Sequence, residues 1–164
     1  MNAVKTGIPV ERMYYHTPLG KLKITATGQG ISAVQFTDEF ESPALRGAIV
    51  ENCIHELGEY FAGKRMDFDV PLAPVGSPFQ MRAWKILQKI PAGQTRSYSW
   101  MAERLGDPNA RRAVGHANGC NMLCIIIPCH RVIRADGTLC GYGGGLWRKK
   151  WLLDHEKKFT GSGD

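Results

Sequence analysis

Short stretches in which apolar and polar side chains alternate fill the first third of the chain. Arg12 to His16, Lys21 to Thr27 and Ile31 to Phe36 are rich in Ile, Val, Tyr and Thr. Pro18-Leu19-Gly20 and Gly28-Gln29-Gly30 separate them as turn signals, so the pattern predicts a three-stranded antiparallel meander. The period then lengthens. Ser42-Pro43 has the form of a helix start, and apolar residues at 45, 49, 50, 53, 54, 57, 60 and 61 make one stripe at helical spacing, closed by Gly63. Asp67 to Leu72 reads as a last strand, and Pro71, Pro74 and Gly76 as a linker. The expected boundary falls there, with residues 1–75 as an N-terminal α/β lobe and 76–164 as a second lobe.

The second lobe reads as mainly helical. Ser77-Pro78-Phe79-Gln80 combines a Ser N-cap, Pro at the first helical position and Gln in place for a capping box. That helix would bury Phe79, Ala83, Trp84, Leu87 and Ile90 before stopping at Pro91-Ala92-Gly93. Ser97 caps a short helix through Leu105, Gly106 ends it, and Asp107-Pro108 opens another from Asn109 to about Asn118. Two short helices around a glycine-containing turn make a helix-turn-helix candidate, a form that many packed hairpins share. The second of them carries Ala110, Ala113, Gly115, Ala117 and Gly119 with Arg111 and Arg112. Small residues permit close approach to a groove and arginines meet phosphate, while a packed Ala/Gly helix with solvated arginines fits the same pattern.

Met122 to Ile127 reads as a short buried strand that breaks at Pro128, directly before Cys129-His130-Arg131. A free cysteine is most often an inert core residue; beside an imidazole and a guanidinium it is a candidate nucleophile. On a strand, adjacent side chains point to opposite faces. His130 could then activate Cys129 only where the backbone turns, or through a water. Arg134-Ala135-Asp136-Gly137 reads as a hairpin turn, Gly141 to Gly145 as a loop that either lies against a flat ligand or is plainly mobile, and Leu146 to about Phe159 as an amphipathic helix whose Arg148-Lys149-Lys150 run fits a solvated face better than phosphate contact. Residues 1–10 read as a loose leader and Thr160 to Asp164 as a disordered tail.

Charge and cysteine content narrow the class. A net charge of +6 fits a polyanionic partner without requiring one. Five cysteines in no small-domain disulfide spacing favour a reducing compartment, no charged segment followed by an apolar run opens the chain, and Leu123 to Ile127 is far shorter than the roughly 20 residues a spanning helix needs. A cytoplasmic protein without a membrane partner is expected. Cys53 and His55 lack paired zinc-ligand spacing, and Cys120, Cys124, Cys129 and His130 match no standard zinc pattern.

Pro128-Cys129-His130-Arg131-Val132 resembles the active-site signature of the O6-alkylguanine-DNA alkyltransferases, the methylated-DNA–protein-cysteine methyltransferases. The similarity extends over Ser77-Pro78-Phe79-Gln80, Ile90-Pro91-Ala92-Gly93 with Ser97-Tyr98, Arg111-Arg112-Ala113-Val114-Gly115, Asn121, Gly141-Tyr142, Gly144-Gly145-Leu146 and Trp151-Leu152-Leu153 with His155-Glu156. It covers most of residues 77 to 156 in the family's order and only loosely the N-terminal part.

The resemblance implies an α+β protein: a small N-terminal antiparallel sheet lobe with a helix, then a mainly helical, winged-helix-like lobe containing a helix-turn-helix. It implies DNA repair by direct reversal, an irreversible single transfer of the alkyl group of O6-alkylguanine, and of O4-methylthymine, to Cys129. His130 would take the thiol proton through a water, Glu156 would orient the imidazole, Asn121 would hold the segment, and Tyr98 would donate to the guanine ring. Arg112 matches the family's arginine finger, with Arg111, Ala113, Gly115 and Ser97 at the DNA. Tyr142, Val132 through its backbone, Gly143, Gly144 and Cys140 would line the base pocket. The partner implied is double-stranded DNA, met in the minor groove by a monomer with the base flipped out. The chemistry requires no cofactor and no metal. Met122, Cys140 and Trp147 depart from the family's usual residues, and Cys140 raises a second thiol as an alternative acceptor. Rival readings are an alkyltransferase-like module that flags damage without repair, a helix-turn-helix regulator, and an unrelated Cys-His hydrolase.

Overall fold

The structure, a computed structural model, describes residues 9–161. The readings made for residues 1–8 and 162–164 lie outside it. The chain divides into two compact units, Met1–Val75 and Gly76–Asp164, and it has the expected α+β make-up.

In the first unit β1 (Glu11–Thr17), β2 (Gly20–Thr27) and β3 (Gly30–Phe36) pair antiparallel in that order. Alternation decides which face is inside: Leu22, Ile24 and Ala26 are buried, while Lys21, Lys23 and Thr25 between them are not. Helix α1 (Ala48–Phe61) covers the sheet with Val50, Cys53, Leu57 and Tyr60, at spacings of three and four. Burial pushes the Cys53 thiol up to about 12, as befits a core residue.

Helix α1 starts five residues later than Ser42-Pro43 suggests. Leu45 exchanges backbone hydrogen bonds with Arg12 at 2.8 and 2.9 Å, so this segment extends the sheet instead of entering a helix. The cap comes from β1: the Glu11 carboxylate accepts from Val50 N at 2.8 Å. Gly47 leaves room for it, since a Cβ there would collide with that carboxylate. Gly47→Ala and Glu11→Ala should each cost about 1 kcal/mol, the worth of a helix cap. Thermal melts of the two single variants and the double variant check this: with one shared contact, the double loses little more than either single.

The strand expected over Asp67 to Leu72 is absent. Ile31 N donates to Pro71 O and Ala73 N to Ile31 O, both at 2.8 Å, which makes only the isolated bridge between Ile31 and Leu72. Pro71 has no donor with which to extend the ladder, and the Glu56 carboxylate takes Asp69 N.

The second unit opens with α2 (Pro78–Leu87) on a complete capping box: Ser77 Oγ accepts from Gln80 N, and Gln80 Oε1 from Ser77 N. Then come β4 (Arg96–Ser97), α3 (Tyr98–Arg104), α4 (Arg111–Gly119), β5 (Val132–Ile133) and α5 (Leu146–Thr160), with β4 and β5 parallel. Ser97 caps α3 by accepting from Trp100 N at 3.0 Å. Asp107 spends its side chain on Asn109 N, closing a turn, so α4 begins two residues later than expected. Helices α2, α3 and α4 pack on one another around Ala83, Trp84, Leu87, Met101, Val114 and Ala117, and Trp84 Nε1 donates to Ala117 O at 2.9 Å. Ala117 therefore belongs to the core, while Ala113 and Gly119 are exposed and Gly115 is half-buried.

Candidate active site

The apolar run before Cys129 is not a strand. Leu123, Ile125, Ile126 and Ile127 are buried, but the backbone coils into turns, with Ile126 N donating to Cys124 O, Ile127 N to Leu123 O and Cys129 N to Ile127 O. Ile125 has φ of 73°, a conformation that β-branched residues rarely hold. Asn121 fastens the coil: its Oδ1 accepts from Leu123 N at 2.9 Å and its Nδ2 donates to Ile127 O at 2.8 Å. A strand needs a partner for every backbone group; here one amide side chain satisfies both ends of a tight turn. The free edge of Nδ2 lies 3.3 Å from Cys129 Sγ.

Cys129–Arg131 form a turn of 3-10 helix, so the thiol and the imidazole are not held on opposite faces of a strand. His130 is buried and its Nε2 lies 2.7 Å from Glu156 Oε2. Arg131, also buried, grips the same carboxylate in a fork: Nε donates to Oε1 at 2.8 Å and Nη2 to Oε2 at 3.0 Å. Its third arm donates to Ile90 O.

The charges follow from this packing. Burial pushes the Glu156 carboxyl up, but His130 and the Arg131 fork outweigh it and hold the group well below the usual carboxylate range. Burial lowers the His130 imidazole below its ordinary 6.5 despite Glu156, so the ring is neutral at neutral pH. A carboxylate only accepts, so Nε2 carries the ring proton and Nδ1 the lone pair. Nδ1 is buried without a hydrogen-bond partner in the protein. Burial raises the Cys129 thiol, with the Asn121 hydrogen bond and the Lys149 charge pulling the other way. The site is thus a thiol, a neutral base with a free lone pair, and an ionised orienting acid.

Stability should fall with acid in two windows of the same sign. Below about pH 6.5 the unfolded chain protonates its histidine while folded His130 resists, so stability present above that pH is lost as pH drops. The Glu156 contribution, present above the ordinary carboxylate range, is lost at lower pH as the folded carboxyl finally protonates. Thermal midpoints between pH 7 and 5 test the first: His130→Gln should flatten the slope by up to about 1.4 kcal/mol per pH unit.

One recess reaches Cys129 and a second adjoins it. A cavity of about 130 Å³ is lined by Cys129, Tyr98, Gly115, Asn118, Gly119, Gly141, Tyr142 and Gly143. A wider cleft of about 670 Å³ takes in Tyr98, Arg111, Arg112, Gly115, Arg134 and Cys140. Tyr98, Gly115 and Gly141 line both. The structure therefore brings Tyr98, Tyr142 and Gly143 to the thiol, and Arg111, Arg112 and Cys140 to the adjoining cleft. Val132 is buried in β5, Ala113 is exposed, Ser97 is occupied as a cap, and Gly144 O accepts from Arg148; none of these four lines either recess.

Tyr98 OH donates to Cys140 O at 3.1 Å. Burial, then the Cys140 contact, raise its hydroxyl well above its ordinary value, so it holds its proton. Burial raises the Cys140 thiol, but the contacts with Arg134 and Tyr98 outweigh it and lower the thiol below its ordinary value. Met122 and Trp147 are exposed, and the Arg148 guanidinium lies 4.6 Å from the Trp147 ring centre.

The solvated basic run expected on α5 is wrong at Lys149. That residue is buried, and its Nζ donates to Cys140 O at 2.9 Å and to Gly141 O at 3.2 Å, pinning the glycine loop. The buried face of α5 is Lys149, Leu152, His155 and Glu156, more polar than apolar, so the helix is not amphipathic in the ordinary sense. Lys149 and Asn118 were not anticipated. The only signal for Lys149 is its position one turn ahead of Leu152 and two ahead of Glu156 on one face.

Comparison with known proteins gives a consistent result. Residues 10–74 match the 6-O-methylguanine DNA methyltransferase, ribonuclease-like domain, and residues 78–158 match the DNA binding domain of the same family. A methylated-DNA–protein-cysteine methyltransferase of Mycolicibacterium paratuberculosis is 42% identical over 156 residues, covering 92% of this chain and 94% of the relative. The crystal structure of Mycobacterium tuberculosis O6-methylguanine methyltransferase superposes with a TM-score of 0.79 at 40% identity, covering 90% of this chain and 92% of that one. The structure of the same organism's protein in complex with DNA gives 0.80 at 41% identity, over 89% and 92%.

Proposed function

The chain belongs to the 6-O-methylguanine DNA methyltransferase family, and from that membership we propose that Cys129 is the acceptor in a one-turnover transfer of the alkyl group from O6-alkylguanine in DNA. The activity is that of a methylated-DNA–protein-cysteine methyltransferase, a DNA-repair enzyme with DNA as partner. The observation that carries the reading is that Asn121 bonds Cys129 and Glu156 bonds His130, the next residue along the chain, whose Nδ1 is buried without a partner.

His130 Nδ1 takes the Cys129 proton through a bridging water, and Glu156, held ionised by Arg131, stabilises the imidazolium that results. The thiolate attacks the alkyl carbon from behind. A sulfur–carbon bond forms, the carbon–oxygen bond breaks, and its electron pair passes to the guanine, where Tyr98 supplies a hydrogen bond or proton. The thioether cannot be displaced, so each molecule acts once. Cofactor and metal have no step to perform.

The reacting oxygen lies inside the duplex, so the nucleotide is flipped into the cavity around Cys129. Helices α3 and α4 act as a helix-turn-helix, and α4 enters the minor groove with Arg112 filling the vacated stack and Arg111 on phosphate. Gly115 and Gly119 support this: glycine in a helix costs about 1 kcal/mol, and a Cβ at either would meet nothing within 4 Å, so the clearance serves something outside the fold. The protein works as a monomer, in the cytoplasm, and accepts O4-methylthymine as a second substrate. No helix among the described residues is long and apolar enough to cross a membrane.

The test is the intact mass of the protein after incubation with a duplex carrying one O6-methylguanine, followed by peptide mapping. One methyl on Cys129 and no more is the expected result. A methyl on Cys140 makes that thiol the acceptor; tight binding without mass change makes the protein a damage-flagging module.

A further inference from the structure

One side chain on the wall of the Cys129 cavity has no partner in the fold. Asn118 stands at the penultimate position of α4, and both its Oδ1 and Nδ2 are shut off from solvent without a hydrogen-bond partner in the protein. The cavity it lines, about 130 Å³, is the one that holds Cys129 and Tyr98. A buried amide with neither half satisfied destabilises a protein, and such a group calls for a reason. Local structure supplies none. Asparagine is a poor helix former, and the core contact of this turn is made by its neighbour Ala117, through its side chain and through the carbonyl that accepts from Trp84. What the amide offers is one donor pair and one acceptor, on a residue that lines a recess with a nucleophile at its wall.

We propose that Asn118 reads the edge of the alkylated base, and so helps to set which base this protein repairs. The inference rests on the reading that the base enters the Cys129 cavity. O6-alkylation leaves the guanine ring nitrogen N1 without a hydrogen, so N1 accepts while the adjacent exocyclic amine donates. An amide is the complement of that pair: Nδ2 donates to the ring nitrogen and Oδ1 accepts from the amine. Either orientation of the amide about its last bond is open to it, because nothing in the protein fixes one. O4-alkylated thymine presents two acceptors on its corresponding edge and satisfies only Nδ2. O6-methylhypoxanthine lacks the amine and likewise leaves Oδ1 unmet. The residue thus favours guanine over both, through a group that costs the free protein stability until a base arrives.

Single-turnover rates of methyl transfer from duplexes with O6-methylguanine or O6-methylhypoxanthine test this in the parent, Asn118→Leu and Asn118→Ala. The parent should prefer guanine about ten-fold, and both variants should lose that preference by slowing on guanine about ten-fold, the scale of a lost hydrogen-bond pair. The free variants should melt no lower than the parent, since each removes an unsatisfied amide; a merely structural asparagine would do the opposite. Unchanged rates and preference in both variants overturn the proposal, as does an equal loss on both bases with a lowered melting midpoint. Transfer by the parent from neither duplex is a different outcome: it overturns the acceptor reading of Cys129 and this proposal with it.

Discussion

Cys129→Ser abolishes methyl transfer and leaves DNA binding as it was. Serine keeps the shape of the side chain and can accept the Asn121 hydrogen bond that now reaches Sγ at 3.3 Å. The cavity and the arginines of the adjoining cleft stay in place. What changes is the nucleophile. A thiol, whose ordinary value is near 9, gives up its proton far more readily than a serine hydroxyl, and the thiolate is much the better nucleophile toward an alkyl carbon. Labelled methyl in an O6-methylguanine duplex, counted on the protein after single-turnover mixing, should fall to background while a gel-shift titration gives the parental affinity. Retained transfer would move the acceptor to Cys140, whose thiol is the more acidic for its surroundings.

Glu156→Ala should cost about 3–5 kcal/mol, the penalty for stripping the partner from a buried charge, out of a total stability on the order of 5–15 kcal/mol. Glu156 and His130 are buried on all sides, and Arg131 very nearly so. Without the carboxylate the guanidinium keeps only its bond to Ile90 O, and the imidazole loses the acceptor that fixes its tautomer. The melting midpoint should drop by about 10 °C. Glu156→Gln, which retains an acceptor oxygen, should lose less stability while still slowing transfer, because it cannot stabilise an imidazolium. Equal melting midpoints for parent and Glu156→Ala would remove the buried ion pair from the stability of this unit.

The elements legible in the sequence were those whose signal is local. The meander follows from alternation, and the starts of α2 and α3 from Ser77 and Ser97, whose side chains bond within their own first turn. The misreadings share a cause: the deciding partner is distant. Met122 to Ile127 is apolar throughout, so it carries no period, and only Asn121 turns it into a coil. Ser42-Pro43 looks like a cap until Arg12 recruits Leu45 to the sheet. Lys149 reads as solvated because nothing nearby in sequence announces the carbonyls of Cys140 and Gly141. Cys129, His130 and Glu156 stand out in the sequence as a set because the family signature carries them, and the fold joins the last two at 2.7 Å. Asn118 was not, because a free amide has no pattern to display until its cavity is seen.

The Glu11 cap sets an order of events in folding. Its acceptor and the amide it serves lie 39 residues apart, so α1 cannot borrow this cap while the chain is still extended. A 14-residue helix is marginal alone in water, and α1 lacks a side-chain cap of its own. Its consolidation therefore waits for β1 to join the sheet, and the loop between them must close first. In rate terms, substitutions at Glu11 should chiefly hasten unfolding if the helix docks after the barrier, and slow folding if the docked helix is part of the nucleus.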